Sequence, residues 1–225
     1  MKLTKQQKNV CDQLINVFES GKPSGNYNAI ATMDDGPNGT KQISYGKAQV
    51  TEYGQLAALI DQYIANNGRF KDNFLKYKGL IGNIQLVNDK DFIMLLKVAA
   101  TDPIMQKTQD AFFDEQFFDR AMAWATANGF TQPLSALVIY DSFIHSGSIL
   151  KFLREKFAEP LPSKGGDEKC WIECYSTARE RWLANHKNEL LHNTTYRSRL
   201  FLKQMEADNW DLSKPIEVKG FKITG

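Results

Sequence analysis

The stretch from Pro133 to Ile144 constrains this chain most, because apolar side chains fall nearly all round a helical period there. A helix without a polar face has to be wrapped by other elements, so it marks the centre of a helical assembly. The rest of the sequence supplies the wrapping. Val10, Cys11, Leu14, Ile15, Val17 and Phe18 recur with helical spacing behind Thr4 and Gln7, which have the separation of a capping box, and Gly21 and Pro23 end that segment. Leu56, Leu59, Ile60 and Tyr63 form a second stripe, closed by Asn67-Gly68. Asp89 opens a third, with Phe92, Leu95 and Leu96, and Asp102-Pro103 opens a long segment through Phe112, Phe113, Phe117 and Met122 to Asn128-Gly129. Gly165-Gly166-Asp167 leads into a helix through Trp182, and Tyr196 to Met205 makes the last one. The tail from Trp210 to Gly225 carries Pro215 and reads as loop with a short extended piece.

Residues 31–50 depart from this pattern. Asp35-Gly36 and Asn38-Gly39 surround Pro37, and Ile43 and Tyr45 then alternate with Gln42 and Ser44. That combination predicts a small β-hairpin or β-like lobe, the only β structure expected. The fold class is therefore mainly α with a small β-hairpin lobe. At 225 residues with 42% hydrophobic side chains, the chain can bury a core without staples. We expect a single domain over 1–225 with two lobes, roughly 20–100 and 1–19 plus 101–225, and Pro160 to Gly166 as the best candidate hinge.

Charge and cysteine usage exclude several classes. Lysines and arginines are interleaved with acids and the net charge is only +2, without the basic stripe of a nucleic-acid binder. No apolar run approaches a membrane span, and no apolar stretch follows the charged start as it would in a secretory signal. A protein acting extracellularly, or in the periplasm of a target cell, would then leave by another route or be a processed chain. The odd count of three cysteines argues against a disulfide framework, and burial is the reading for Cys170 and Cys174 beside Trp171. No metal or organic cofactor is called for, and a monomer is expected.

Carboxyls suggest the chemistry. Glu19 falls in the last turn of the first helix, beside its buried face, and Asp34 and Asp35 fall in a turn. Glycoside hydrolysis needs one carboxyl kept protonated by apolar surroundings and a second, ionised one in a wetter place. Spacing alone leaves the ordinary alternative open, in which both are soluble surface acids.

Four blocks in order carry a resemblance: Phe117-Phe118-Asp119 with Ala127-Asn128-Gly129; Tyr140-Asp141 through His145; Gly165-Gly166-Asp167-Glu168 leading to Ala178-Arg179; and Arg199 through Phe201-Leu202-Lys203, followed by Asn209-Trp210-Asp211-Leu212. In these the chain resembles the chitosanases of glycoside hydrolase family 46. The resemblance implies a lysozyme-like, two-lobed α+β fold with a cleft between lobes. It implies Glu19 as general acid and Asp35, followed by Gly36, as general base in an inverting reaction, with roughly 6.5–9.5 Å between the two carboxyls. It also implies Thr40 as the residue that holds the water, with Gln42 and Ser44 as alternatives, and Asp34 as the neighbouring candidate for base or substrate contact. Asp141, Arg179 and Arg199 match a buried Asp with two Arg behind the acid. An Asp in so apolar a helix needs a cationic partner, and Arg199 is the expected neighbour of Glu19. His145 either lines the cleft or is a satisfied helix-end histidine.

Two departures bear on the substrate. Where the family has an Asp after a Gly to grip the ammonium group of the sugar, this chain has Gly54-Gln55, and Pro37 replaces an Arg that commonly follows the base. A missing carboxylate removes a charge-assisted hydrogen bond to a cationic sugar. The expected activity is endo-hydrolysis of β-1,4 bonds in an amino-sugar polysaccharide, chitosan by resemblance. Peptidoglycan is the rival, cut by a muramidase-like antibacterial effector or lysin. A non-catalytic carbohydrate-binding or immunity-like protein is the alternative of another class.

Overall fold

The computed structural model describes all residues from Met1 to Gly225. In chain order the elements are α1 (Lys5–Ser20), β1 (Ile30–Met33), β2 (Gln42–Tyr45), β3 (Val50–Thr51), α2 (Leu56–Ala65), α3 (Lys71–Leu75), α4 (Lys90–Ala99), α5 (Pro103–Phe113), α6 (Asp119–Ala127), α7 (Pro133–Ser146), α8 (Lys151–Arg154), α9 (Glu168–Ala184), α10 (Thr195–Glu206), β4 (Ile216–Val218) and β5 (Phe221–Ile223). They fall into two compact units, one of Met1–Ser24 with Gln116–Gly225 and one of Gly25–Glu115.

The first unit is built around α7. Every residue from Leu134 to Phe143 is buried, and α6, α9, α10 and α1 pack on it. The capping box forms as the sequence predicts: Thr4 accepts from the Gln7 N–H, and the Gln7 side chain accepts from the Thr4 N–H. Gly21 ends α1 in the left-handed region, where the absence of a Cβ is needed. Trp171 occupies the buried face of α9 among Phe130, Phe157 and Tyr175. This leaves Cys170 exposed and Cys174 partly so, correcting the expected burial of both. The segment Pro160 to Gly166 is stitched down rather than a loose hinge, with the Ser163 N–H on the Asn128 carbonyl and the Gly166 N–H on that of Leu161.

The tail is more ordered than its composition implies. β4 and β5 form a hairpin that pairs Val218 with Phe221. Lys219 and Gly220 both have positive φ, at 46° and 83°, the backbone of a two-residue type I′ turn. Ile216 and Ile223 are buried, and β5 packs on α1.

The second unit carries the antiparallel sheet β1-β2-β3 against α2, α4 and α5, with Ile43, Tyr45, Leu56, Tyr63, Phe74, Phe92 and Leu96 in its core. All four residues of β2 are buried, so both of its faces are covered. Glu52 is fully buried and accepts the N–H groups of Ile43 and Leu86, fixing β2 to the loop after α3. Asp102 caps α5 through the Ile104 N–H and also accepts from the Tyr63 hydroxyl and the Arg69 N–H.

α5 belongs to this unit, which moves the boundary from near residue 100 to 115/116. Gln109 joins the Lys47 N–H to the Tyr27 carbonyl, and Asp110 takes the Tyr27 hydroxyl and the Lys47 ammonium. The long helical segment predicted from Asp102 is correspondingly interrupted by a π-helical turn at Asp114–Phe118.

Candidate active site

Glu19 lies one residue from the end of α1, after the buried run Val17-Phe18, and is 37% exposed. Its Oε1 is 2.8 Å from Nη1 of Arg197. The same Nη1 is 3.1 Å from Oδ1 of Asp141, whose Oδ2 lies 2.6 Å from Nη1 of Arg179. The result is a line of alternating charge, Arg179–Asp141–Arg197–Glu19, supplied by α9, α7, α10 and α1. Arg197 also donates from Nη2 to the Phe18 carbonyl at 3.3 Å and stands 5.2 Å from the Phe18 ring centroid.

The helix faces explain the assembly. On α10 the buried positions are Thr195, Arg197, Ser198, Leu200, Phe201, Gln204 and Met205, so Arg197 shares the inward stripe with Phe201, four residues on. Arg199 is two residues along, which turns it to the opposite side. It pairs with Glu180 at 2.8 Å, and its side chain is 65% exposed. The expectation that Arg199 reaches Glu19 is corrected: Arg197 does. The four-residue spacing to Phe201 is the signal that identifies it. Glu19 is likewise in a charged rather than an apolar setting.

Electrostatics make the line self-consistent. Burial disfavours the charge on Asp141, but Arg179 and then Arg197 outweigh it and hold the carboxyl below the usual carboxylate range. Burial also disfavours the charge on Arg197, yet Asp141 and Glu19 outweigh it and raise its affinity for the proton. His145, one turn beyond Asp141 on α7, is partly buried, and its Nδ1 has no hydrogen-bond partner. It is not the satisfied helix-end histidine of the sequence alternative. Burial, reinforced by Arg179 and Arg197, pushes its imidazole down to about 4, so it is neutral near neutral pH.

Asp35 is held differently. It follows β1 in an exposed loop, and its Oδ1 accepts from Nε2 of Gln42 at 2.8 Å. Gln42 is buried on β2 opposite Met33, and its Oε1 accepts from the Tyr53 N–H at 3.2 Å. A short 3-10 turn over Pro37–Gly39 folds the loop back, so that the Gly36 N–H donates to the Thr40 carbonyl at 2.9 Å. A Cβ at residue 36 would lie 2.6 Å from that carbonyl oxygen and 2.8 Å from Thr40 Oγ1, so the Asp-Gly pair is a packing requirement of this turn. Thr40 donates its own hydroxyl to the Pro37 carbonyl at 2.8 Å. Ser44 donates to the Gln49 carbonyl. Asp34 is exposed in the bend after β1, and Gln55 is exposed at the N-cap position of α2 without capping it. Gln42 as the tether of Asp35, and the buried Glu52 behind it, were not identified from the sequence. No group of three or more His, Cys, Asp or Glu side chains is arranged to hold a metal ion.

Comparison with known proteins matches the chain to one family. The sequence model described as Glycosyl hydrolase family 46 matches residues 13–216. The chain is 26% identical over 238 residues to a chitosanase of Bacillus subtilis strain 168, covering 96% of this chain and 83% of that protein. Among solved structures, a mutant chitosanase from Bacillus subtilis MY002 complexed with 6 GlcN superposes with a TM-score of 0.78 at 24% identity, over 99% of this chain and 100% of that one. The complex of a Gynuella sunshinyii family 46 chitosanase with chitotetraose gives 0.76 at 23% identity, over 99% and 98%. These superpositions establish the lysozyme-like, mainly helical fold.

Proposed function

This chain belongs to glycosyl hydrolase family 46 and is a glycoside hydrolase, and from that premise we propose that it cuts the β-1,4 bonds of chitosan internally, with inversion at the anomeric carbon. The observation that carries the reading is the line Arg179–Asp141–Arg197–Glu19, in which three members are buried and the terminal carboxyl alone is open to solvent. Buried charges cost several kcal/mol each to desolvate unless paired, so a chain spanning four helices and ending on an accessible acid suits a group that must be held in one orientation.

In this reading Glu19 is the general acid. Arg197 engages Oε1, and Oε2 carries the proton that passes to the departing glycosidic oxygen. Asp35 is the general base. Because Thr40 has already committed its proton to Pro37, its Oγ1 can only accept from a water. A water held by both residues directs one hydrogen to Asp35 and the other to Thr40, which leaves an oxygen lone pair for the anomeric carbon. Asp141 and Arg179 act through Arg197, with His145 a neutral neighbour, and the steps draw on side chains alone.

Chitosan is supported by the relatives' own activity and by the 6 GlcN and the chitotetraose in the two solved complexes. Gln55 supplies no negative charge for an ammonium group, which is the feature that would suit peptidoglycan and an antibacterial role. The chitosan reading puts the enzyme outside the producing cell as a monomer, and action in a target cell's periplasm goes with the peptidoglycan alternative. No helix is long and apolar enough to cross a membrane.

Chitosan and purified cell walls digested side by side test this reading, with Glu19→Gln as the control. Reducing ends from chitosan, lost in the control, are expected. Release from walls alone would transfer the substrate to peptidoglycan, and unchanged turnover in Glu19→Gln would end the acid assignment.

A further inference from the structure

We propose that Gln42 is the positioning residue of Asp35, an inference that rests on reading Asp35 as the base. Three constraints fix the Gln42 amide. Its backbone is registered opposite Met33 across the β1–β2 ladder. The next residue, Ile43, is clamped at both ends by Glu52, donating its N–H to Oε2 at 3.0 Å and accepting the Glu52 N–H at 2.8 Å. The residue is only 5% exposed, and its side-chain Oε1 takes the Tyr53 N–H at 3.2 Å.

This last contact sets the amide's polarity. Turned over, the amide would place Oε1 against the Asp35 oxygen and Nε2 against the Tyr53 N–H, and both hydrogen bonds would be lost. Gln42 therefore presents a donor, and only a donor, to Oδ1 of Asp35 at 2.8 Å. One carboxylate oxygen is occupied and the side chain's torsion is set, so Oδ2 is the oxygen left to take the proton of the attacking water. An exposed aspartate on a loop otherwise samples several rotamers, and a base misplaced by about 1 Å loses on the order of 10²-fold in rate. The chemistry thus depends on a neutral amide that acts through Asp35.

Gln42→Glu keeps an oxygen acceptor for Tyr53 but sets an oxygen against Asp35, and Gln42→Met removes both contacts. With chitosan as substrate, each is expected to lower kcat by about 10²-fold while KM stays within about two-fold, because orientation and not binding is lost. In an Asp35→Ala background, adding Gln42→Glu should change the residual rate by less than about two-fold, since the residue acts through Asp35. A merely structural role would lower both backgrounds alike, and that result, or a near-parental kcat in Gln42→Glu, overturns the inference. A near-parental rate in Asp35→Ala would instead remove Asp35 as base. Thermal melts confirm folding, and if Gln42→Glu is unfolded at the assay temperature the cycle is run with Gln42→Met.

Discussion

The two units hold their carboxyls by opposite means. Glu19 is anchored by charge, at the end of buried ion pairs drawn from four helices. Asp35 is anchored by a neutral amide and a five-residue turn in which Gly36 meets Thr40. The first arrangement ties the site to the stability of the helical unit, because removing one member leaves another charge buried and unpaired. The second leaves Asp35 solvated and its anchoring local, so that changes there should alter activity with little effect on folding. Stability and activity are therefore expected to fail together when a buried member of the ion-pair line is removed, and separately at the exposed carboxyls Glu19 and Asp35.

The sharpest break of that contrast is Glu19→Gln, expected to reduce chitosan turnover by about 10²–10⁴-fold, the span of general acid catalysis, with the melting temperature nearly unchanged. Reducing-end assays and a thermal melt check it together. Arg197→Ala comes next. It should lower kcat by about 10²-fold through the lost orientation of Glu19. It should also cost about 3–5 kcal/mol in urea unfolding, because Asp141 loses one of its two buried partners. Arg199→Ala, two residues away, should cost no more than about 1 kcal/mol and leave kcat alone, as an exposed pair would.

Acid titration sharpens the comparison further, because the buried line is the part that should respond. The folded Asp141 carboxyl lies below its ordinary value of 3.8, so its stabilisation is present above that pH and is lost as pH falls through the lowered folded value. His145 acts at higher pH. Its folded value of about 4 lies below the ordinary 6.5, so between those two the unfolded chain binds more protons and stability falls as pH falls. Urea midpoints measured from pH 7 to pH 3 should decline in two stages, and His145→Gln should flatten the upper one. A smaller change in activity than at Glu19 or Arg197 is expected at Gln55. Gln55→Asp should lower KM for chitosan several-fold, the scale of one added charge-assisted hydrogen bond at an exposed site, with kcat unchanged.

What the sequence disclosed follows from how local each signal is. Thr4, Gln7 and Gly21 delimit α1 by capping chemistry within a few residues, and the apolar run at 133–144 identifies α7 without any partner. The choice between Arg197 and Arg199 depends on which face of α10 turns inward, and a two-residue slip reverses the answer. The β4–β5 hairpin was hidden because its turn uses Lys219-Gly220 instead of the usual Asn-Gly. The resemblance offers Gln42 as a water holder, but its grip on Asp35 depends on the Tyr53 N–H eleven residues away, which no spacing rule signals.

The span of the helical unit, from Met1–Ser24 across to Gln116–Gly225, has a consequence for biosynthesis. Arg197 meets the backbone of α1 at a separation of 179 residues, so a growing chain carries Glu19, the acid of the proposed reading, long before the guanidinium that pairs with it has been translated. Such distant pairing forms late, after most of the polypeptide has left the ribosome. Nascent chains arrested short of residue 197 should therefore lack hydrolytic activity.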